Sequence, residues 1–179
     1  MARYIAFLRA INVGGHNVKM EQLRALFEGL GFNSVATFIA SGNVIFETDS
    51  TGGLELEERI ESHLKAALGY EVATFLRTPA EVAKVAQCET VPAAARAAAT
   101  ALNVAFLKAP LASEGAVRLQ SLRTEIDSFY LDGRELYWLC ARKQSDSAFS
   151  NAVFEKALRI RATFRGLGTV AKLAAKYPG

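Results

Sequence analysis

The first eighty residues alternate between strand-like and helical hydrophobic patterns, and this alternation limits the fold more than any other feature of the chain. Residues 3 to 9 carry apolar side chains on both faces, which is typical of a central strand. A helix follows, with Asn17 as its predicted N-cap and Gly31 placed to end it. Residues 34 to 40 and 43 to 48 then predict a hairpin around a Ser-Gly turn.

A second helix and a fourth strand complete the pattern. The helix ends at Gly69, and residues 71 to 77 form the strand, so the order is βαββαβ, the ferredoxin-like plait. Residues 101 to 179 repeat this order and add a terminal helix. The sequence therefore predicts an α+β fold of two plait halves with mainly antiparallel sheets. The predicted domains are an N-terminal plait domain with a polar, Gly-rich loop (1–78), a helical, Ala-rich connector (79–100) and a C-terminal plait-like domain (101–179).

Composition sets the protein class. Of the 179 residues, 51% are hydrophobic and 22% charged, values typical of a soluble globular protein. No apolar run is long enough to span a membrane, and no signal-peptide cleavage site follows the first apolar segment. Cys88 and Cys140 show no CxxC spacing, which favours buried thiols in a reducing compartment. We therefore expect a cytoplasmic protein that does not bind membranes.

The predicted topology gathers polar residues at one end of each half. In a plait, strands one and two run in one direction and strands three and four in the other. The loop after strand one and the hairpin between strands two and three therefore emerge together. In the second half, the turn after strand three and the end of strand four also share one end. The candidate ligand-binding residues at these ends are Arg9, Asn12, Gly14, Gly15, Asn17, Ser41, Asn43, Arg142, Ser145 and Arg165.

The chemistry of these loops favours an anion. Gly14-Gly15 before a helix lets backbone N–H groups converge on a negative charge, and the helix dipole adds to the attraction. The spacing matches neither the dinucleotide fingerprint nor the P-loop, and a Gly pair alone is more often a turn. Ser41 and Asn43 could equally bond their own hairpin backbone. We expect a small phosphorylated, carboxylated or nucleotide-like ligand at this end.

Other functions have less support in the sequence. His16 and His63 are the only histidines, and neither has a second metal ligand at helical or hairpin spacing. No Ser or Cys is placed with a base and an orienting acid, so no catalytic residue, metal or cofactor is predicted. An enzyme acting on an anionic substrate and a structural or homo-oligomeric protein without a ligand remain alternatives.

Nucleic-acid binding is a further alternative, and it rests on the basic C-terminal half. Residues 134 to 179 hold nine Lys or Arg against three acidic residues. Aromatic residues lie on adjacent predicted strands, as in RNA-binding plaits, but the RNP signature is absent and both strand faces are apolar. We therefore expect core or interdomain packing for these aromatics, which are Phe129, Tyr130, Tyr137 and Trp138.

The motifs LRAINVGGHN at 8 to 17 and TFIASGNVIFE at 37 to 47 resemble those of the DUF1697 family of uncharacterised bacterial proteins. The resemblance continues through YWLCARKQS at 137 to 145 and ATFRGLGTVAKL at 162 to 173. It implies an α+β fold of two plait-like halves and no established activity. The chain departs from the family at Ala10, where Gly is usual, and at residues 166 to 168, where Gly-Leu-Gly replaces the usual Asn-Trp-Asn.

Overall fold

The computed structural model of the protein describes residues 1–12, 14–40 and 42–179. The chain divides into two compact units, the first formed by Met1–Glu81 with Tyr177–Gly179 and the second by Val82–Lys176. Each contains one four-stranded antiparallel sheet with interleaved helices, so the predicted α+β fold of two halves is confirmed. Within the described ranges, no helix combines the length and the apolar character needed to cross a membrane.

The first unit follows the predicted βαββαβ order, and its sheet has the strand order β2-β3-β1-β4 with antiparallel neighbours. Strands β1 and β2 therefore run in the same direction, and their ends lie at one end of the sheet. Its elements are β1 (Ala2–Leu8), α1 (Met20–Glu28), β2 (Asn33–Thr37), β3 (Asn43–Thr48), α2 (Leu54–Leu68) and β4 (Thr74–Arg77).

One core of the first unit lies where α1 and α2 bring their apolar stripes together with alternate residues of the sheet. Leu23 and Phe27 of α1 and Ile60 and Leu64 of α2 are fully buried in this core, together with Phe46 of β3. Burying a side chain of this size contributes about 1.5–3 kcal/mol, so the apolar spacing of the two helices accounts for their placement. The helical spacing of apolar residues in the sequence therefore reflects which side chains pack into this core.

Helix α1 begins later than the sequence predicted. Its N-cap is Lys19, which makes no side-chain cap, so the prediction that Asn17 caps the helix is wrong. Asn17 lies two residues before the cap, exposed in the loop. Helix α2 ends as predicted at Gly69, which adopts a left-handed conformation with φ of 82°.

The second unit has the strand order β6-β7-β5-β8, also antiparallel. Helix α3 (Pro79–Gln87) starts with a capping box, in which Thr78 N donates to Glu81 Oε2 at 2.8 Å and Glu81 N donates to Thr78 Oγ1 at 3.2 Å. The remaining elements are α3 (Pro79–Gln87), α4 (Ala93–Ala98), β5 (Ala101–Phe106), α5 (Ser113–Gln120), β6 (Asp127–Asp132), β7 (Glu135–Cys140), α6 (Asn151–Leu158), β8 (Thr163–Gly166) and α7 (Leu167–Lys176), with a 3₁₀ turn at Gln144–Asp146.

A buried carboxylate organises the polar part of this unit. Asp127 accepts hydrogen bonds from Trp138 Nε1 at 2.8 Å, Thr124 Oγ1 at 2.7 Å and Ser147 Oγ at 2.8 Å. Burial acts to raise the pKa of Asp127, but the hydrogen bonds together outweigh burial and hold the pKa below its ordinary value. The Trp138 ring packs edge-on against Phe149, with ring centroids 4.9 Å apart. The Asp127 carboxylate therefore fixes a tryptophan in the core.

Candidate functional site

The loop after β1 is fixed to the fold at several points. Arg9 N donates to Ala73 O at 2.9 Å, and Tyr70 Oη donates to Ile11 O at 2.9 Å. Asn12 Oδ1 accepts a bond from the backbone N–H that precedes α1, that of Val18, at 2.8 Å. These bonds tie residues 9 to 12 to the segment before β4 and close the loop toward α1, so its backbone path is set by the first unit itself.

The loop meets the β2–β3 hairpin, as the predicted topology requires. Leu8 N donates to Gly42 O at 2.8 Å, and Asn12 Nδ2 donates to Ala40 O at 3.2 Å. Gly42 has φ of 81°, and a Cβ there would lie 3.0 Å from Ile11 Cγ2 and 3.1 Å from Leu8 Cβ. Only glycine allows this approach. We call the assembly of residues 9–12, 14–17, 38–40 and 42–43 with Tyr70 the loop end.

Two of the three predicted amide ligands of this end, Asn12 and Asn43, serve the backbone. Asn43 is fully buried, and its Nδ2 donates to Phe38 O at 2.8 Å while Phe38 N donates to Asn43 O at 3.0 Å. Asn12 links the loop to the hairpin through the bonds given above. Ser41, which was also predicted as a ligand here, lies outside the described residues. The amides therefore shape the loop end, which was the alternative considered for Asn43 from the sequence.

The exposed part of the loop is the run from Gly14 to Asn17. Gly14 and Gly15 have φ of 64° and 84°, and no heavy atom lies within 4 Å of a Cβ built at either position. Among the described residues, no acceptor receives a hydrogen bond from the backbone N–H groups of Gly14, Gly15, His16 or Asn17. Because α1 begins at Met20, the helix dipole acts on this run less directly than the sequence suggested.

Tyr70 is the residue of this end that the sequence argument missed. Its ring stacks on His16, with centroids 3.7 Å apart and planes 17° from parallel, and burial raises the pKa of Tyr70. His16 is exposed, so this stack forms a flat aromatic surface beside Gly15. The predicted topology was sufficient to place Tyr70 here, because the connection from α2 to β4 reaches the same end of the sheet and Tyr70 is its aromatic residue.

The candidate residues of the second half differ in exposure. Arg142 and Ser145 are exposed after β7, whereas Arg165 is only 7% exposed. Arg165 donates through Nη1 to Thr163 Oγ1 at 2.8 Å and to Phe164 O at 2.9 Å, and burial lowers its pKa to about 10. Arg165 thus stabilises its own strand. Of the basic residues predicted as ligands in this half, the exposed Arg142 in the turn after β7 is the one accessible to a ligand.

The turn after β7 nevertheless lies next to the end of β8, as predicted. Asn103 Nδ2 donates to Gln144 Oε1 at 3.0 Å, and Asn103 pairs with Gly166 across the β5–β8 ladder. The basic residues of this turn precede the short 3₁₀ turn, whereas α6 begins only at Asn151. A 3₁₀ turn of three residues has little dipole to offer an anion.

The predicted core packing of the aromatics is confirmed for Phe129, Tyr137 and Trp138, which are all at most 4% exposed. Phe129 and Trp138 pack around Phe149, and Tyr137 Oη donates to Val85 O at 3.2 Å. These rings offer no open stacking surface to RNA bases.

Two cavities in the second unit are lined by residues other than the predicted ligand-binding residues. One, of about 420 Å³, has a mainly apolar lining that runs from Leu107 to Ala112 and includes Ile160 and Arg161. Another, of about 200 Å³, lies between α4 and the start of β6. Over residues 1–12, 14–40 and 42–179, His, Cys, Asp and Glu form no group of three that could hold a metal ion.

Comparison with known proteins identifies the family. A family model described as DUF1697, protein of unknown function, matches residues 1–137. The structure of conserved bacterial protein SP0830 from Streptococcus pneumoniae is similar, with a TM-score of 0.79 over 100% of this chain and 99% of that chain, at 23% sequence identity. That identity establishes a shared fold alone. No curated protein sequence matches the chain. Because the family model covers well over half of its length, the chain belongs to the DUF1697 family.

Proposed function

We propose that the protein binds a small phosphorylated or nucleotide-like anion at the loop end. The observation that carries this proposal is the exposed run Gly14–Asn17, whose backbone N–H groups have no acceptor among the described residues. Successive backbone N–H groups in a turn attract anions without needing a cationic side chain. The anchors at Arg9, Ile11 and Asn12 hold this run in place, which lowers the entropic cost of binding.

Charge and shape at the loop end support the same ligand class. Arg9 follows β1 directly, is half-buried and brings a permanent positive charge to the start of the loop. The exposed His16 ring, backed by Tyr70, offers a flat surface on which a planar ring can stack. A ligand with one anionic and one planar part, such as a nucleotide, would use both features.

Two further parts of the proposal concern the fold type and the cellular location. The strand order of each half supports the ferredoxin-like description. The thiols Cys88 and Cys140 are buried and unbridged, which supports a reducing, cytoplasmic location.

A thermal-shift titration tests the proposal. Inorganic phosphate, nucleoside monophosphates and sugar phosphates are added to wild type and to Arg9→Ala, because a ligand that binds only the native state raises the midpoint by mass action. Arg24→Ala is the matched control, since Arg24 is exposed on α1 and its removal changes the net charge equally. We expect a shift with at least one anion that persists in Arg24→Ala and disappears in Arg9→Ala.

Two results would overturn the proposal. One is the absence of a shift with every anion up to millimolar concentration. The other is an equal loss in both Arg variants, because nonspecific charge attraction would then explain the binding. A single-stranded RNA included in the same screen separates the nucleic-acid alternative: an RNA-induced shift that salt removes and Arg9→Ala leaves unchanged would move the function to the basic second half.

A further inference from the structure

The first strand of each sheet ends in the same way. At the end of β1, Leu8 N donates to Gly42 O at 2.8 Å. Directly after β5, Leu107 N donates to Arg134 O at 2.9 Å. Each acceptor immediately precedes the third strand of its own sheet, so Leu8 and Leu107 occupy equivalent positions in the two units.

This equivalence reveals a repeat in the sequence. Residues 4–10 read YIAFLRA, and the equivalent residues 103–109 read NVAFLKA. Lys108 therefore corresponds to Arg9, and each unit carries a cation directly after the end of its first strand. The second unit thus has a counterpart of the position at which the loop end of the first unit begins.

The loops that follow these cations differ in length. The connection between β1 and α1 covers residues 9–19, whereas that between β5 and α5 covers only residues 107–112. The longer connection buries Ile11 and Val18 in the core of the first unit, where they are 2% and 4% exposed. Beside the shorter connection lies the cavity of about 420 Å³. The second unit therefore has open space where its loop is too short to cover the end of the sheet.

The lining of this cavity combines apolar side chains with two cations. Leu107 is buried, Leu111 is half-buried, and Ile160 is 37% exposed, so apolar surface extends from the core to the solvent. Lys108 and Arg161 also line the cavity, and none of its described lining residues is acidic. A cavity of about 150 Å³ is sufficient for benzene, so this one accommodates an apolar chain of about eight to ten carbons.

The surroundings of the cavity also favour a negative charge. Ala112, which lines the cavity, is the N-cap residue of α5 and supplies no side-chain cap, so the positive end of the helix dipole lies beside the cavity. The acids on the neighbouring helices have other contacts. Glu114 lies 3.7 Å from Arg118, and Glu155 Oε2 accepts a hydrogen bond from Ala162 N at 3.0 Å.

We propose that this cavity binds a monocarboxylate with an unbranched alkyl chain of medium length. The chain packs against Leu107, Leu111 and Ile160, which removes its apolar surface from water. The carboxylate lies beside Lys108 and Arg161, and the guanidinium offers it two parallel N–H donors. All of these residues belong to the second unit, so the site is independent of the loop end.

Isothermal titration calorimetry with hexanoate, octanoate and decanoate tests this site. The full chain is titrated at constant ionic strength and below the concentration at which each compound forms micelles. Affinity should rise about fourfold with each added methylene, because each one transfers further apolar surface from water into the cavity. In amide NMR spectra, decanoate should shift the signals of residues 107–112 and 160–161.

Three variants separate the alkyl chain from the charge. Arg161→Gln should weaken decanoate binding about tenfold and leave the binding of 1-decanol, which has no charge, unchanged. Lys156→Gln is the matched control, because Lys156 is exposed on α6, does not line the cavity and carries the same charge. Ala109→Trp fills the cavity and should weaken the binding of both compounds.

Circular dichroism checks that each variant is folded, and Ala109 and Arg161 are both exposed, so native spectra are expected. If Ala109→Trp does not fold, Ala109→Leu replaces it. Arg9→Ala should bind decanoate as wild type does, which separates this site from the loop end. The proposal is overturned if folded wild type does not bind decanoate, if Arg161→Gln and Lys156→Gln have equal effects, or if filling the cavity leaves the affinity unchanged.

Discussion

Substituting Gly42 tests whether the close approach of the hairpin and the loop holds the loop end together. Gly42→Ala introduces a Cβ 3.0 Å from Ile11 Cγ2 and 3.1 Å from Leu8 Cβ, on a backbone with φ of 81°. Gly31→Ala is a matched control, because Gly31 has nearly the same φ, 82°, and no heavy atom within 4 Å of its Cβ position. The two variants therefore share the backbone strain and differ in the steric contact.

The expected magnitudes follow from these two causes. A left-handed conformation costs an alanine about 1–2 kcal/mol relative to glycine, and both variants lose this amount. Forcing a methyl group into a packed contact costs a further amount of about 1–3 kcal/mol. We therefore expect Gly31→Ala to lower the free energy of unfolding by about 1–2 kcal/mol and Gly42→Ala to lower it by about 2–5 kcal/mol.

Urea denaturation followed by far-ultraviolet circular dichroism gives the free energies of unfolding. Amide hydrogen exchange locates the effect, because the Leu8 N–H donates to Gly42 O and should lose protection in Gly42→Ala alone. If the two variants lose equal stability and Leu8 keeps its protection, the hairpin and loop tolerate separation and the reasoning for a fixed loop end fails.

Three further predictions concern side-chain hydrogen bonds. The pKa of Asp127 is lower in the folded than in the unfolded state, so this carboxylate stabilises the fold above about pH 4. The stabilisation is lost as the pH falls through the folded pKa. Asp127→Asn should therefore make the free energy of unfolding less dependent on pH in this acidic range. Tyr70→Phe removes the bond to Ile11 O and keeps the stacked ring, so unfolding free energy should fall by about 1 kcal/mol in urea denaturation. Thr78→Ala should lower the thermal midpoint by removing a capping bond worth about 1 kcal/mol.

Much of the fold followed from hydrophobic periodicity and local turn chemistry. The apolar spacing of α2, the glycine that ends it and the capping box that starts α3 are local features, and each determines an element without help from the rest of the chain. The predicted start of α1 was wrong because Asn17 is a residue type that commonly caps helices. In the structure Asn17 lies in an exposed loop, and the helix begins at Met20 without a side-chain cap. Cap residues indicate where a helix is able to start, and tertiary packing determines where it does start.

The roles of polar side chains could not be read from the sequence. Topology correctly brought Asn12 and the hairpin together, but a sequence does not show which hydrogen bonds an amide makes, and Asn12 and Asn43 bond backbone groups. Arg165 was predicted from its position at a strand end, whereas burial turns it toward its own strand. The sequence likewise does not show that Glu61 Oε1 accepts a hydrogen bond from Thr74 N on the edge strand β4, because this bond joins a helix to a strand thirteen residues away.

The anchoring of the loop end changes what a loss of ligand binding would mean. Asn12→Ala removes bonds to Ala40 O and from Val18 N, so it should lower the stability of the ligand-free protein by about 1–3 kcal/mol as well as any affinity. His16→Ala removes an exposed ring with no hydrogen bond among the described residues, so it should lower affinity and leave the ligand-free thermal midpoint nearly unchanged. Thermal shifts of both variants, with and without the anion found for wild type, separate the two effects. If His16→Ala keeps full affinity while Asn12→Ala loses it, the His16 ring is not part of the recognition surface, and the backbone of the loop end carries the binding.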